Sequence, residues 1–560
     1  MKLNEQQLQV VNSNADRIVC IASAGAGKTA TLLQRIDRLI SDGANSEGML
    51  ILTFTNAAAR ELTERFKKNH PDSISVPEFR TFHAFCYSLL VRDTDIRHYM
   101  GYSDIPNVAV EEDIRRIWTI VHTTCNIRLS DKKLYGKREA LPLKEQFEYD
   151  VFWKAYKKQL CAENLITFDI LCYGVGQLFV DDIDLVQGYK QLYKFIMVDE
   201  FQDTSNPEFA FVESFKNAQL FVCGDPQQML YRFRGCTNDI IKSLAEDSTW
   251  ELIKLPRNYR STKPIVDFSN KIFAKKWEGS PYYLAGQTDK DGVPINFCNS
   301  FPNRSDKLMK VALEMQQKVN EGKSVAILCR TNAKVAEVRT MFIDIGVPVK
   351  GKADNSELVG LLKSVLDSEY CVKWIAGMLP NEEYARYLRF STLDPSVNEE
   401  QKFLQMFGTK YVRLLDKLYH CRSLLSDNLL PMELIRGMLR YLKLDIELNP
   451  EKLISASLQE CMDYIVDKVE ASVDKGIYVG TIHSVKGLEY DIVHVVDVDG
   501  DSFNTMKNED EMACFYVACT RAKEELYLWY DTTSDDELLQ ELSAEMHEDV
   551  VTGTYYWGKN

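Results

Sequence analysis

The chain has 560 residues, 45% hydrophobic and 27% charged, with 67 Lys and Arg against 82 Asp and Glu for a net charge of −15. That exceeds what one hydrophobic core supports, so two to four domains are expected at roughly 150 residues each. The acidic surplus excludes indiscriminate coating of nucleic acid but not a local basic and aromatic channel. The 14 cysteines include no Cys-x-x-Cys pair, the start Met1-Lys2-Leu3-Asn4-Glu5 lacks a leader pattern, and no apolar run is long enough to cross a bilayer. Reduced thiols in a cytoplasmic protein, no zinc or iron–sulfur centre and no membrane partner are the expectation.

The first predicted strand is Arg17-Ile18-Val19-Cys20-Ile21, short and rich in β-branched residues. Ala22-Ser23-Ala24-Gly25-Ala26-Gly27-Lys28-Thr29 follows at once, and then an amphipathic helix with Leu32, Leu33, Ile36, Leu39 and Ile40 on one face. Strand, small-residue loop and helix in that order make a phosphate loop. Backbone N–H groups and the helix N-terminus would cradle phosphates, Lys28 would reach the β and γ oxygens of ATP, and Thr29 would ligate Mg2+. Ala22 departs from the usual pattern, which starts with glycine.

A second apolar strand, Phe195-Ile196-Met197-Val198, delivers Asp199 and Glu200 at its carboxyl end, where open α/β sheets bind ligands. There Asp199 would hold Mg2+ through water and Glu200 would polarise the attacking water. A third, Leu220-Phe221-Val222-Cys223, runs into Gly224-Asp225-Pro226-Gln227-Gln228, which places the Gln228 amide to sense a γ-phosphate. Tyr231, Phe233 and Arg234 come just after. Aromatics there could carry phosphate state to stacked bases, and for Phe233 packing in a core stays open as the other reading.

These motifs resemble the UvrD/Rep family of superfamily 1 helicases. Leu3-Asn4-x-x-Gln7 resembles the adenine-reading Q motif. Thr53-Phe54-Thr55-Asn56 and Thr81-Phe82-His83 resemble strand-binding motifs, and Val198 to Thr204 the acidic signature. Asn258-Tyr259-Arg260-Ser261-Thr262, Thr481 to Glu489 and Tyr516-Val517-x-x-Thr520-Arg521-Ala522 complete the series. The resemblance implies adenine contacts from Gln7, Arg35 and Tyr259, the last by stacking, and a ribose contact from Glu489. It implies that Arg260 and Arg521 are arginine fingers, that Phe54, Tyr231 and Phe233 stack on bases, and that Thr81, His83 and His483 also meet the strand. Met512-Ala513 stands where the family has an Arg-Arg pair, which leaves the contacts of those arginines open.

The fold class expected is α/β, two RecA-like parallel-sheet motor domains each with a helical insertion. Residues 1–90 and 165–254 would form the first motor domain, 91–164 its insertion, 255–355 and 475–545 the second, 356–474 the second insertion and 546–560 a tail. Leu252-Ile253-Lys254-Leu255 reads as the start of the second motor domain. Little follows Tyr530, so no appended nuclease is expected. The activity implied is ATP-dependent 3′→5′ movement on single-stranded DNA and unwinding of tailed duplex, in repair, replication or antiviral defence. Two alternatives stay open: an ATPase switch beside a separate nuclease subunit, and an RNA translocase.

Overall fold

In a computed structural model of the chain, the residues described are 3–70, 75–134, 141–232, 236–299, 303–350, 476–498, 509–530, 546–549 and 554–557. The expected insertion at 356–474 and the side chain of Phe233 lie outside them. The chain divides into two compact units, Met1–Met100 with Leu171–Val349 and Gly476–Asn560, and Gly101–Ile170 with Lys350–Lys475.

The first unit carries two sheets. One is built from β1 (Arg17–Ala22), β2 (Met49–Thr53), β3 (Glu78–Thr81), β6 (Phe195–Val198), β7 (Gln219–Gly224) and β8 (Glu251–Leu255), in the order β3-β2-β6-β7-β1-β8. Every pairing in it is parallel. Its central strands are buried throughout or from their second residue on, as parallel strands covered on both faces must be. The helix Lys28–Ser41 lays Leu32, Leu33, Ile36 and Leu39 on Ile18 and Cys20 of β1. Because β6, β7 and β1 are neighbours, the segments leaving their carboxyl ends converge on one edge of the sheet. One expectation is corrected here. Leu252–Leu255 pairs with Val19–Ala22, so this strand completes the first sheet rather than opening the second domain.

The second sheet comprises β9 (Ile295–Asn299), β10 (Val325–Cys329), β11 (Val349–Lys350), β12 (Ile477–Thr481), β13 (Tyr490–Val495), β14 (Ala522–Tyr530), β15 (Met546–Asp549) and β16 (Thr554–Trp557). Its order is β11-β12-β10-β13-β14-β9-β16-β15. The pairings from β12 through β10, β13 and β14 to β9 are parallel. The last two strands pair with each other antiparallel, and β16 adds antiparallel to β9. Residues 546–549 and 554–557, within the segment expected as a tail, therefore extend this sheet. The helix Glu509–Cys519 is buried at every position from Met512 to Cys519, so the Met512-Ala513 departure puts apolar side chains into a core where arginines would be desolvated.

In the second unit, the described part of Gly101–Ile170 is helical. Helices Glu111–Thr124 and Leu143–Ala162 pack Ile117, Val121, Phe152, Tyr156 and Leu160 into a separate core. Short strands β4 (Asn107–Val108) and β5 (Leu165–Ile166) pair in parallel and close its ends together. The expected insertion began at residue 91, but the helix Thr94–Tyr99 belongs to the first unit. Among the described residues no helix is long and apolar enough to cross a membrane.

Candidate nucleotide and nucleic-acid site

Local backbone geometry shapes the phosphate loop. Gly25 and Gly27 adopt φ of +70° and +77°, a region only glycine enters without strain. Gly25 also faces the segment after β8, where a Cβ would stand 2.7 Å from Arg260 Cβ and 2.8 Å from Asn258 Oδ1. Ala22 causes no such conflict because it is the last residue of β1, in extended backbone. Gly27 caps the helix Lys28–Ser41 without a side-chain bond, leaving its first N–H groups for an anion.

Around that loop the three strand ends deliver their polar groups. Lys28 Nζ is 3.8 Å from Glu200 Oε2. Burial opposes its charge, but Glu200, Asp225 and Asp199 more than offset this and its pKa is raised. Asp199 is 5% exposed and receives a bond from the Thr29 hydroxyl. Burial, then the neighbouring Glu200, pushes the Asp199 carboxyl up. Glu200 goes the other way: burial resists, yet Lys28 and Lys486 hold its carboxyl below the ordinary range, so it stays ionised. It also sits at φ +54°, a strained conformation for a non-glycine residue and one often met at functional sites. Gln202 Nε2 donates to Glu200 Oε2 at 2.6 Å while Gln202 Oε1 accepts from Asp225 N at 3.0 Å, locking the acidic strand end to the coupling segment.

Gln228 lies between the two sheets' helices and loops. Its Nε2 donates to Asp225 Oδ2 at 2.7 Å, and its Oε1 accepts from Arg521 NH2 at 2.9 Å. Arg521 is 2% exposed and donates also to the carbonyls of Val517 and Leu488 and to the Thr520 hydroxyl. Burial, reinforced by Arg260, lowers its pKa to about 9. Arg260 donates to Glu489 Oε2 at 2.7 Å and to Thr520 O at 3.2 Å. Asn258 Oδ1 accepts from the N–H groups of Arg260 and Ser261, which sets the turn that presents Arg260.

The expected adenine wall is only partly assembled as expected. Tyr259 is 43% exposed, its N–H donates to Gly25 O, and its hydroxyl accepts from Asn4 Nδ2 at 2.8 Å. Gln7 is buried, accepts from Asn4 N and donates to Ala26 O of the phosphate loop at 3.1 Å. Arg35 is a correction. It is fully buried and donates to Val10 O, Ser13 O and Gln219 Oε1, so it ties the end of the helix Glu5–Asn12 to β7 and offers nothing to a base.

Strand-facing candidates also gather. The rings of Phe54 and Tyr231 stack at 4.5 Å between centroids with 26° between planes. His483 meets Tyr231 edge-on at 6.4 Å, and Lys486 Nζ lies 5.0 Å over the same ring. Lys486 also pairs with Asp203 and donates to Gln228 O at 2.9 Å. Thr81 is 6% exposed and spends its hydroxyl on Ala84 N and Asn56, so it shapes the start of the helix Phe82–Arg92. His83, on that helix, interacts with Cys172. Asn4, Gln202, Asn258 and Lys486 were given no role from sequence. Each is a polar residue inside a motif, a signal that marks the neighbourhood without marking the partner.

Two family models match the chain: the UvrD/REP helicase N-terminal domain over residues 3–249, and the UvrD-like helicase C-terminal domain over residues 253–355 and 389–533. A protein named probable DNA helicase II homolog, from Mycoplasma capricolum, is 26% identical over 94% of this chain and 84% of its own. The ATP-dependent DNA helicase PcrA of Staphylococcus aureus is 26% identical over 95% of this chain and 83% of its own. A putative ATP-dependent DNA helicase of Bacillus subtilis, YjcD, is 25% identical over 94% and 78% respectively.

Proposed function

The chain belongs to the UvrD/Rep family of ATP-dependent DNA helicases, and we propose that its two RecA-like motor domains step 3′→5′ along single-stranded DNA and open tailed duplex. Adenine stacks on Tyr259 with Gln7 at its edge, and Glu489, freed from Arg260, takes the ribose. The phosphates lie on residues 22–29 with Lys28 at the β and γ oxygens. Thr29 and Asp199 suit Mg2+, a hard cation that takes hydroxyl and carboxylate oxygens and completes its shell with water and phosphate. The desolvated Asp199 carboxyl beside Glu200 is an excess of buried negative charge that such an ion would balance. When bound, Mg2+ would neutralise charge on the phosphates.

Glu200, held ionised by Lys28, orients the attacking water and takes its proton. Arg260 and Arg521 stabilise charge on the transferred phosphoryl group, each by ~10³–10⁵ in rate if they resemble other arginine fingers. The observation that most supports this reading is the Arg521–Gln228–Asp225 chain of hydrogen bonds. It joins a residue that precedes β14 of one sheet to the segment that follows β7 of the other, so a γ-phosphate that drew on Gln228 or Arg521 would shift one domain against the other. Tyr231, three residues past Gln228, carries that shift to bases stacked against Phe54.

Unwinding of 3′- and 5′-tailed duplexes, with DNA and RNA tails of one sequence, tests the proposal. Unwinding of the 3′-tailed DNA alone is expected. Preference for a 5′ tail, or equal stimulation of ATP hydrolysis by RNA, would overturn the polarity or the substrate respectively.

A further inference from the structure

The helix Glu509–Cys519 ends one residue before Thr520 and two before Arg521, and three acidic residues form its first turn. Those carboxylates reach across to the first sheet's module. Arg232 Nε lies 2.8 Å from Asp510 Oδ1, and its NH2 lies 3.9 Å from Glu509 Oε2. Lys242, on the helix Asp239–Glu246, stands 3.4 Å from Glu509 and 4.3 Å from the Trp277 ring centre. Glu509 is further held by Lys276 at 3.1 Å and by the Trp277 indole N–H at 3.2 Å. Three cations and an indole thus converge on two adjacent carboxylates at one end of the finger helix. Arg232 is the immediate neighbour of Tyr231, whose ring stacks on Phe54.

We propose that Arg232 and Lys242, bound to Glu509 and Asp510, form an ionic tie that couples strand occupancy at Tyr231 to the placement of Arg521. Any displacement of Tyr231 that opens its stack on Phe54 moves Arg232, and the charge pairs pull the first turn of the finger helix with it. The helix is packed in the core from Met512 to Cys519, so a shift at Glu509 is delivered along it to Arg521. A second anchor, Lys242, lies outside the coupling segment and keeps the helix end seated on the first module while Arg232 moves. The tie acts as a positioning device: neither arginine nor carboxylate touches nucleotide. It rests on the reading that Tyr231 stacks on the strand.

The test is ATP hydrolysis by the full chain with no DNA and with saturating single-stranded oligonucleotide, so that strand affinity drops out. Asp510→Asn and Arg232→Gln should leave hydrolysis without DNA unchanged and lower the stimulated rate about two- to fivefold, the size expected of partly exposed ion pairs acting in a network. The charge-swapped pair Arg232→Asp with Asp510→Arg should recover more than half of the lost stimulation, which shows that the two groups act through each other, while unchanged hydrolysis without DNA and an unchanged melting temperature in the single variants exclude a merely structural loss. Unchanged stimulation in both single variants, or a swapped pair no better than the worse single one, overturns the tie. Tyr231→Ala distinguishes the two levels. If it leaves oligonucleotide affinity untouched, the stacking reading itself fails; if affinity falls while Asp510→Asn is silent, only the tie does.

Discussion

At the scale of single residues, the site divides into groups that meet the nucleotide and groups that hold those groups in place. Lys28→Ala should abolish ATP hydrolysis, because nothing else on the loop supplies a side-chain cation to the β and γ oxygens. Glu200→Gln should keep ATP binding while lowering hydrolysis by roughly 10²–10⁴, the usual weight of a general base. Equilibrium binding of a labelled ATP beside a turnover assay separates the two, and a Glu200→Gln enzyme at full rate would reduce the acidic strand end to turn chemistry. Gly25→Ala adds both a clash with Arg260 and a positive-φ penalty of about 1–3 kcal/mol, so it should weaken ATP binding even though alanine is small. Arg35→Ala should instead unsettle the fold, by ~1–3 kcal/mol for the carbonyls it leaves unpaired, without altering discrimination between ATP and GTP. Thermal melts and competition binding would show an error here if base selectivity moved and stability did not.

At the scale of elements, the second sheet holds a buried histidine that has nothing to do with the nucleotide. His494 on β13 stacks on Tyr527 of β14 at 4.3 Å, and its Nδ1 accepts from the Trp529 indole at 3.0 Å. The proton therefore sits on Nε2, which has no partner among the described residues. Burial lowers the pKa of His494 to about 3. Below the ordinary histidine pKa near 6.5 the unfolded chain takes a proton that the folded chain refuses, so stability is full above pH 6.5 and falls as pH drops toward 3. The slope from this one group approaches ~1.4 kcal/mol per pH unit. A His494→Phe chain, measured by denaturant unfolding between pH 7 and 5, should lose that part of the slope; an unchanged slope would show that other groups dominate. The strand elements respond to different physics. Phe54 and Tyr231 lie on each other's faces, so on the strand path proposed above a base would replace one ring contact with another, and stacking at ~1–3 kcal/mol per base is strong enough to grip yet weak enough to release.

For the whole molecule, a net charge of −15 sets how the strand is held. Few cations can line the channel, and each phosphate neutralised on a single strand adds about 0.7 to the salt slope. Affinity for single-stranded DNA should therefore fall with salt more shallowly than for a basic coat protein. A Phe54→Ala/Tyr231→Ala double variant should lose affinity by a similar factor at every salt concentration, leaving the slope alone. Titrations across a salt series decide this, and a slope that collapsed on removing two uncharged rings would mean that the strand runs elsewhere.

Much of this was legible in the sequence because its signals are local. A phosphate loop needs contiguous small residues between a strand and a helix, and Ala22 to Thr29 declares that without reference to the rest of the chain. The same holds for Asp199-Glu200 at the end of an apolar strand and for the α/β class itself. What the tertiary structure alone decided is partnership across distance. Arg35 reads like any helical arginine near a nucleotide loop, and only folding shows that three acceptors from two other segments consume it. Leu252–Leu255 carries the apolar pattern of either sheet, and the choice fell to β1 because its free edge accepted a sixth strand. The strands at 546–549 and 554–557 read as a tail because short strands need an edge to exist, and β9 supplies it. Arg521 and Gln228 are 293 positions apart, so no spacing rule could join them; their hydrogen bond exists because two sheets, each specified locally, set their loops against one another.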